Sequence, residues 1–372
     1  MGEKIVIQGN EAVGLAAIAA NCGVYCGYPI TPQNEVPEWF SREFPKAGRI
    51  FLQSGSEIAS TFLLFGALAG GVRAMTSTAS PGWGLMQEGV SHMVNAELPG
   101  VILLVQRGGP GQGTTRHSQM DYASVTRGGG QGSYKNIVLA PASVQEVYDF
   151  IQLAFHLADK YRNPVIVLSD AYVNQGLELL EPKTIDFGPL PEKDWTLKGK
   201  ASHKDGKPRF ITSAHGLLAT SEYPTYISFL QHLASKYKKM ESDEVRYVSY
   251  QIDDADLVIV AYGYTSRVSR EAMNRARSQG LKVGLIRPQT LWPFPIEVIR
   301  QKAGEGAKFL MVEDGVDGIG GLIKDVRIAV QGKSEVGMVT ALDRHNPDEW
   351  GAILPGKVSD KIDEMLSRKG IS

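Results

Sequence analysis

The chain has 372 residues, and 39 Lys+Arg against 40 Asp+Glu leave a net charge of −1. At ~150 residues per domain this length suggests two compact domains, each long enough to bury a core. Near-neutrality without Lys/Arg blocks argues against nucleic acid or a membrane surface as partner, and no apolar run reaches the ~18 residues that span a bilayer.

Residues 1–7 read as a strand rather than a signal peptide, because no long apolar stretch follows Lys4, so a cytoplasmic location is expected. Ile5-Val6-Ile7 leads through Gly9 into a small-residue helix ending near Ala20. Apolar runs of strand length follow at 75–78, 101–105 and 164–168, with helical segments at 57–68 and 144–160. Such strands, alternating with helices, predict an α/β fold built on a parallel sheet covered on both faces. Residues 181–245 carry Pro182, Pro189, Pro191 and Pro208 in a Lys/Asp-rich stretch and read as an extended connector. A second α/β unit then shows strands at 257–263, 283–287 and 309–313 and a helix at 266–279. The expected division is a domain over 1–180, the connector over 181–245 and a second domain over 246–372.

Two cysteines, Cys22 and Cys26, cannot ligate a four-thiolate iron–sulfur cluster, and their spacing misses the Cys-x-x-Cys redox pattern. They read as small buried hydrophobes, so any redox centre belongs on another chain. Glycine is the unusual count: 41 residues, about 11% against a typical ~7%.

Four segments fall in loops after strands, where an open parallel sheet binds ligands. Gly27-Tyr28-Pro29-Ile30-Thr31-Pro32 is a stiff turn able to present a hydroxyl and backbone groups, or alternatively a helix start with Thr31 as N-cap. Gln53 to Ser60 places Glu57 at the head of an apolar helix. There it is either a first-turn carboxylate facing the helix dipole or an acid in an apolar wall, able to share a proton with a ligand nitrogen. Met75 to Glu88 predicts a strand, a hydroxyl-rich loop containing Ser80 and Gly82, and a helix, with Trp83 either lining a pocket or covering the sheet. In Gln106 to His117, Arg107 emerges at a strand end, either to fork onto a small carboxylate or to serve as an ion pair or backbone-carbonyl clamp. Walker A, dinucleotide and hydrolase-elbow spacings are all missing.

Together these segments resemble the α subunit of the 2-oxoacid:ferredoxin oxidoreductases, thiamine-diphosphate enzymes that oxidatively decarboxylate 2-oxoacids onto coenzyme A. Tyr28-Pro29-Ile30-Thr31-Pro32 is followed in order by Gln53…Glu57, Thr76-Ser77…Pro81-Gly82, Gln106 to Gly111 and Leu285-Ile286-Arg287-Pro288-Gln289-Thr290-Leu291-Trp292-Pro293-Phe294-Pro295. Gly128 to Pro141 is similar to the branched-chain (2-oxoisovalerate) type.

The resemblance implies a pyrimidine-binding domain followed by a transketolase C-terminal-like domain. It implies Glu57 as the catalytic residue, hydrogen-bonding the aminopyrimidine of the cofactor and favouring the tautomer that removes the thiazolium proton. Pro29, Ser80 and Gly82 would join it around the cofactor. Thr31, Arg107 and Thr115, with Tyr28 and Ile30, would contact the substrate. The Gly-Asp-Gly…Asn motif for Mg²⁺ and the diphosphate is missing, since Asp314-Gly315 and Asp317-Gly318 lack its other residues. No metal site is therefore expected on this chain. A β subunit would carry that site, [4Fe–4S] clusters would sit on β and on a γ or ferredoxin-like δ subunit, and ferredoxin would accept the electrons. Two departures stand out: Gly55 where relatives carry an acid, and Glu313 to Gly321 in place of Glu-x-Asn-x-Gly-Gln. The competing readings are a non-catalytic docking subunit and a synthase-type thiamine enzyme. On substrate, one cation (Arg107) with Trp83 and Ile30 as an apolar wall suits a branched-chain 2-oxoacid. Arg116 or His117 as a second cation would suit 2-oxoglutarate, and an aryl 2-oxoacid is the remaining alternative.

Overall fold

The structure, a computed structural model, describes residues 4–220, 222–316, 320–341 and 351–367. In chain order the first part runs β1 (Ile5–Gln8), α1 (Gly9–Ala19), β2 (Val24–Gly27), α2 (Glu35–Glu43), β3 (Ile50–Gln53), α3 (Glu57–Ala69), β4 (Ala74–Ala79), α4 (Ser80–Asn95), β5 (Val101–Gln106), α5 (Tyr122–Thr126), β6 (Ile137–Leu139), α6 (Val144–Tyr161), β7 (Val165–Asp170), α7 (Ala171–Gln175) and β8 (Leu177–Leu180). It continues with α8 (Tyr226–Asp243), β9 (Tyr247–Tyr250), β10 (Leu257–Ala261), α9 (Gly263–Ser278), β11 (Val283–Pro288), β12 (Thr290–Trp292), α10 (Ile296–Gly304), β13 (Lys308–Val312), α11 (Leu322–Val330), β14 (Val336–Val339) and α12 (Pro355–Ser367).

Among the described residues the larger sheet has the order β12-β6-β7-β5-β4-β2-β3, parallel except for β12. The second has the order β14-β13-β10-β11-β9, parallel except for β9. The expectation of an α/β protein with two parallel-sheet domains therefore holds. The central strands β4, β5 and β7 are buried along their whole length. Small residues in α1 let it lie close to its neighbours: a Cβ on Gly14 would meet the Trp39 ring at 1.9 Å. Among the described residues no helix is long and apolar enough to cross a membrane.

Three features depart from the reading of single segments. First, β1 is outside the large sheet and pairs antiparallel with β8 in a separate ribbon, Ile5 opposite Leu180. Its apolar alternation reported a strand but not its partner. Second, the 181–245 stretch contains the eighteen-residue helix α8, capped by Thr225. Glu97 holds that helix, accepting from His232 Nε2 and Lys236 Nζ, each at 2.7 Å, and from the Tyr223 hydroxyl at 2.8 Å. Burial pushes the Glu97 carboxyl up, but His232 and Lys236 outweigh it and hold it well below the usual carboxylate range. Third, β12 leaves the second unit and adds antiparallel to β6 of the first sheet. Beside it, Arg287 forks onto Glu146 of α6 at 2.7 and 2.6 Å, a bidentate pair of the strong kind. The Leu285–Pro295 motif thus clasps the two units together.

Candidate active site

The carboxyl ends of β7, β5, β4, β2 and β3 lie side by side along one edge of the large sheet. From β2 the chain moves outward to β3, and from β4 it moves the other way to β5, so a crevice opens between β2 and β4. Thr31, Glu57, Ser80, Gly82 and Arg107 lie at these strand ends, whereas Thr115 is exposed on the loop beyond.

The turn after β2 is not a helix start. Helix α2 begins only at Glu35, and Asn34 donates to Thr31 Oγ1 at 3.3 Å. The Thr31–Pro32 peptide is cis. Asn10 donates to the Pro32 carbonyl at 3.0 Å, and Arg107 Nη1 donates to the Thr31 carbonyl at 2.9 Å. Below, Ser77 bonds to both the Tyr25 hydroxyl and Gln33 Oε1, and Gln33 reaches back to the Tyr28 carbonyl. With its underside held, the turn exposes Tyr28 and Pro29 and leaves Ile30 and Thr31 half-buried.

Glu57 is the first residue of α3, and Ser56 caps that helix by accepting from the Ala59 N–H at 3.2 Å. The Glu57 residue is only 6% exposed. Among the described residues no group donates a hydrogen bond to its carboxylate. It lies against Gly82 of α4, where a Cβ would come 2.6 Å from Glu57 Oε1 and 2.1 Å from Thr78 Oγ1. Only glycine tolerates that approach.

The hydroxyl-rich loop expected around Ser80 does not exist: β4 passes directly into α4, with Pro81 in its first turn. Trp83, 2% exposed, belongs to the core. Ser80 Oγ accepts from the Arg107 N–H at 2.8 Å, lies 3.0 Å from the Arg107 carbonyl, and makes a close contact with Asp121. Arg107 is buried and acts as a carbonyl clamp. Besides Thr31 it binds the Gln112 backbone and side-chain oxygens at 3.0 and 3.2 Å, while its Nε–H is buried without a partner among the described residues. Thr115 and Arg116 are exposed on the loop beyond.

His117 is engaged elsewhere. Its Nδ1 meets Asp314 of the second unit at 2.6 Å, and its ring packs 4.3 Å from Tyr172. Nearby, burial pushes the Asp170 carboxyl up to about 6, although the Tyr264 and Val173 N–H groups donate to it. Asp317, Gly318 and Ile319 lie outside the described residues. Among those described, no cluster of His, Cys, Asp and Glu could hold a metal. Burial drives both cysteines upward, Cys22 to about 12 and Cys26 to about 11, as inert core thiols.

Asn10, Gln33, Ser77 and Asp121 support this site and were not singled out from sequence. One signal was present: Met75-Thr76-Ser77-Thr78, counted above among the apolar runs, is mostly polar, which in a central buried strand departs from the apolar norm.

In architecture this is a transketolase-type α/β protein. A solved split-gene transketolase, described as an inactive β4 tetramer, aligns with TM-score 0.61 at 15% identity, over 97% of this chain and 98% of the other. Two family models match in succession: pyruvate flavodoxin/ferredoxin oxidoreductase, thiamine-diphosphate-binding, over residues 15–250, and pyruvate:ferredoxin oxidoreductase core domain II over residues 255–349. The ketoisovalerate oxidoreductase subunit VorB of Methanothermobacter thermautotrophicus is 44% identical over 87% of this chain and 89% of its own. The 2-oxoglutarate synthase subunit KorA of Methanothermobacter marburgensis is 35% identical over 94% and 98%. A 2-oxoglutarate:ferredoxin oxidoreductase from Magnetococcus marinus, solved with 2-oxoglutarate, coenzyme A and succinyl-CoA, aligns with TM-score 0.85 at 27% identity. The alignment covers 98% of this chain and 66% of that longer one. The chain belongs to the 2-oxoacid:ferredoxin oxidoreductase family, an enzyme family whose first domain binds thiamine diphosphate.

Proposed function

We propose that this chain is the α-type subunit of a coenzyme A-acylating 2-oxoacid:ferredoxin oxidoreductase acting on 2-oxoisovalerate and related branched-chain 2-oxoacids. The observation that carries the reading is Glu57, 6% exposed, whose carboxylate accepts no hydrogen bond from the described residues and lies against Gly82. The carboxylate is left open to a partner from outside the chain, and a cofactor ring nitrogen would supply one. Pro29, Gly82 and the first turn of α4 would line the same seat.

Thiamine diphosphate, when bound, supplies the electron sink that allows the carboxylate carbon to leave as CO₂. The chain's own residues hold and orient. Glu57 would keep a proton at the ring nitrogen. Thr31, with the exposed face of its turn, would contact the substrate's 2-oxo group. Arg107 would pair with the substrate carboxylate through its guanidinium charge, while its Nη donors hold the Thr31 turn and the Gln112 loop. Ser80 ties the Arg107 backbone to the start of α4.

Mg²⁺, the diphosphate site and the [4Fe–4S] clusters are assigned to partner subunits. Leu52, Ile58, Phe62, Leu63 and Leu85 are exposed apolar residues on β3, α3 and α4, and they favour a β subunit covering the face beside Glu57. His117, one of the two cations weighed for a distal carboxylate, is already engaged by Asp314, which favours a branched-chain substrate, although Trp83 lies in the core and supplies no pocket wall. The 44% identity to a ketoisovalerate oxidoreductase subunit points the same way.

The test is competition between 2-oxoacids on the assembled complex, read by reduction of ferredoxin or a viologen. Two extra methyls at ~0.8 kcal/mol each should favour 2-oxoisovalerate over pyruvate by roughly tenfold in kcat/KM. Preference for 2-oxoglutarate would overturn the substrate assignment. Tight stoichiometric binding of thiamine diphosphate to this chain alone, measured by calorimetry, would overturn the shared site.

A further inference from the structure

We propose that Asp121 is a positioning residue for the 2-oxoacid carboxylate, acting on Arg107 through the direction in which the single Ser80 hydroxyl proton points. This rests on the reading of Arg107 as the carboxylate donor.

Three groups crowd Ser80 Oγ. The Arg107 N–H donates to it at 2.8 Å, the Arg107 carbonyl lies 3.0 Å away, and Asp121 Oδ2 is in close contact. A hydroxyl has one proton to give. With Asp121 ionised, two acceptors compete for that proton, the charged one wins, and the Arg107 carbonyl loses its donor. With Asp121 protonated, the carboxyl donates to Ser80, and Ser80 is free to donate to the Arg107 carbonyl. Both backbone groups of Arg107 are then held by one side chain.

The Asp121 main chain does not follow the proton, because its N–H is fixed on Gln106 Oε1 at 3.2 Å. The titratable and charged groups facing this carboxyl are Arg107 at the end of β5 and the Tyr262 phenol after β10, with the Ser80 hydroxyl at the head of α4. Burial pushes the carboxyl up to about 6, against the lowering effect of Ser80 and Arg107. The change therefore falls where an enzyme works. Ionisation also places a negative charge near the guanidinium. Both effects weaken the hold on an anionic substrate as pH rises.

The experiment measures KM and kcat for 2-oxoisovalerate on the assembled complex across pH, for wild type, Asp121→Asn, Ser80→Ala and Arg107→Lys. Wild-type KM should rise about fivefold through pH ~6, the scale of one hydrogen bond, with kcat changing less. Asp121→Asn, whose amide always donates, should hold KM flat at the low-pH value. Ser80→Ala should start from a raised KM at low pH and keep only the smaller rise due to the Asp121 charge near the guanidinium. Infrared titration of the purified full chain should show protonated carboxyl bands that disappear near pH 6, from Asp121 and Asp170, and the Asp121 component should be missing in Asp121→Asn. A wild-type KM profile in Asp121→Asn would overturn the proposal, as would a carboxyl that titrates near pH 4. If Asp121→Asn fails to fold, the Asp121 component in Ser80→Ala decides: titration there indistinguishable from wild type rejects the coupling. An unchanged KM in Arg107→Lys would sink the carboxylate role of Arg107 instead, while the infrared result would still report the Asp121–Ser80 coupling.

Discussion

Arg107 at the end of β5 donates to the main-chain carbonyl of Thr31, 2.9 Å away in the turn after β2, and so bridges over the intervening strand β4. The cation and the hydroxyl expected to meet the substrate are therefore parts of one mechanical unit.

Replacing Arg107 with Lys should disturb binding and fold together. A single ammonium cannot serve Thr31, Gln112 and a ligand at once. KM should rise for every 2-oxoacid, and urea denaturation should show a loss of about 1–3 kcal/mol from the carbonyls left unpaired. Equal stability with raised KM would restrict Arg107 to ligand binding.

Glu57→Gln should separate chemistry from stability. The carboxylate has no hydrogen-bond partner to lose among the described residues, so the thermal midpoint should stay close to wild type. Turnover of the assembled complex should fall roughly 10²–10⁴-fold, the usual contribution of a positioned proton-transfer group. Near wild-type turnover would make Glu57 a structural residue.

Two glycines of α4 provide a matched pair. A Cβ on Gly82 would strike Thr78 and Glu57, whereas one on Gly84 meets nothing within 4 Å. Gly82→Ala should cost about 1–3 kcal/mol by overpacking and reduce turnover by displacing Glu57. Gly84→Ala should leave the isolated chain as stable or up to ~1 kcal/mol more so, from helix propensity. Calorimetry of the two variants reads the difference, and equal melting points would reject the tight seat at Gly82.

Glu97→Gln tests the docking of α8. Lys236 is 9% exposed and would be left without its counter-charge, at a cost of about 3–5 kcal/mol near neutral pH. The Glu97 carboxyl is held below its unfolded value, so its contribution is complete above ~4.3 and is lost as pH falls. The stability gap between variant and wild type should accordingly narrow on acidification. Urea melts at neutral pH and near pH 4 measure it, and a gap that widened in acid would contradict the assignment.

The parallel strands β5, β7, β10 and β11 were legible because strands buried on both faces show as unbroken apolar runs. Glu57 was legible as the one acid heading an apolar helix. What its carboxylate meets was not, because that depends on segments far along the chain. Arg107 showed the same limit: its position at a strand end was visible, but its grip on Thr31 spans 76 residues of chain. Helix α8 escaped because it buries few residues, Phe229, Lys236 and Met240, and exposes apolar ones such as Ile227 and Leu230, so no clean apolar stripe marks it. The polar supports Asn10, Gln33 and Asp121 gave no local sign, since each takes its meaning from a partner far along the chain.

The strand Thr290–Trp292 has a consequence for how this chain can be divided. Family boundaries fall between residues 250 and 255, but a cut there would strip a border strand from the sheet of the N-terminal piece and leave Glu146 without its arginine. The bared rim of β6 would invite pairing with other chains. Inheritance and mechanics therefore draw the seam in different places, and an N-terminal fragment ending at the inherited seam would emerge from the ribosome with its sheet unfinished.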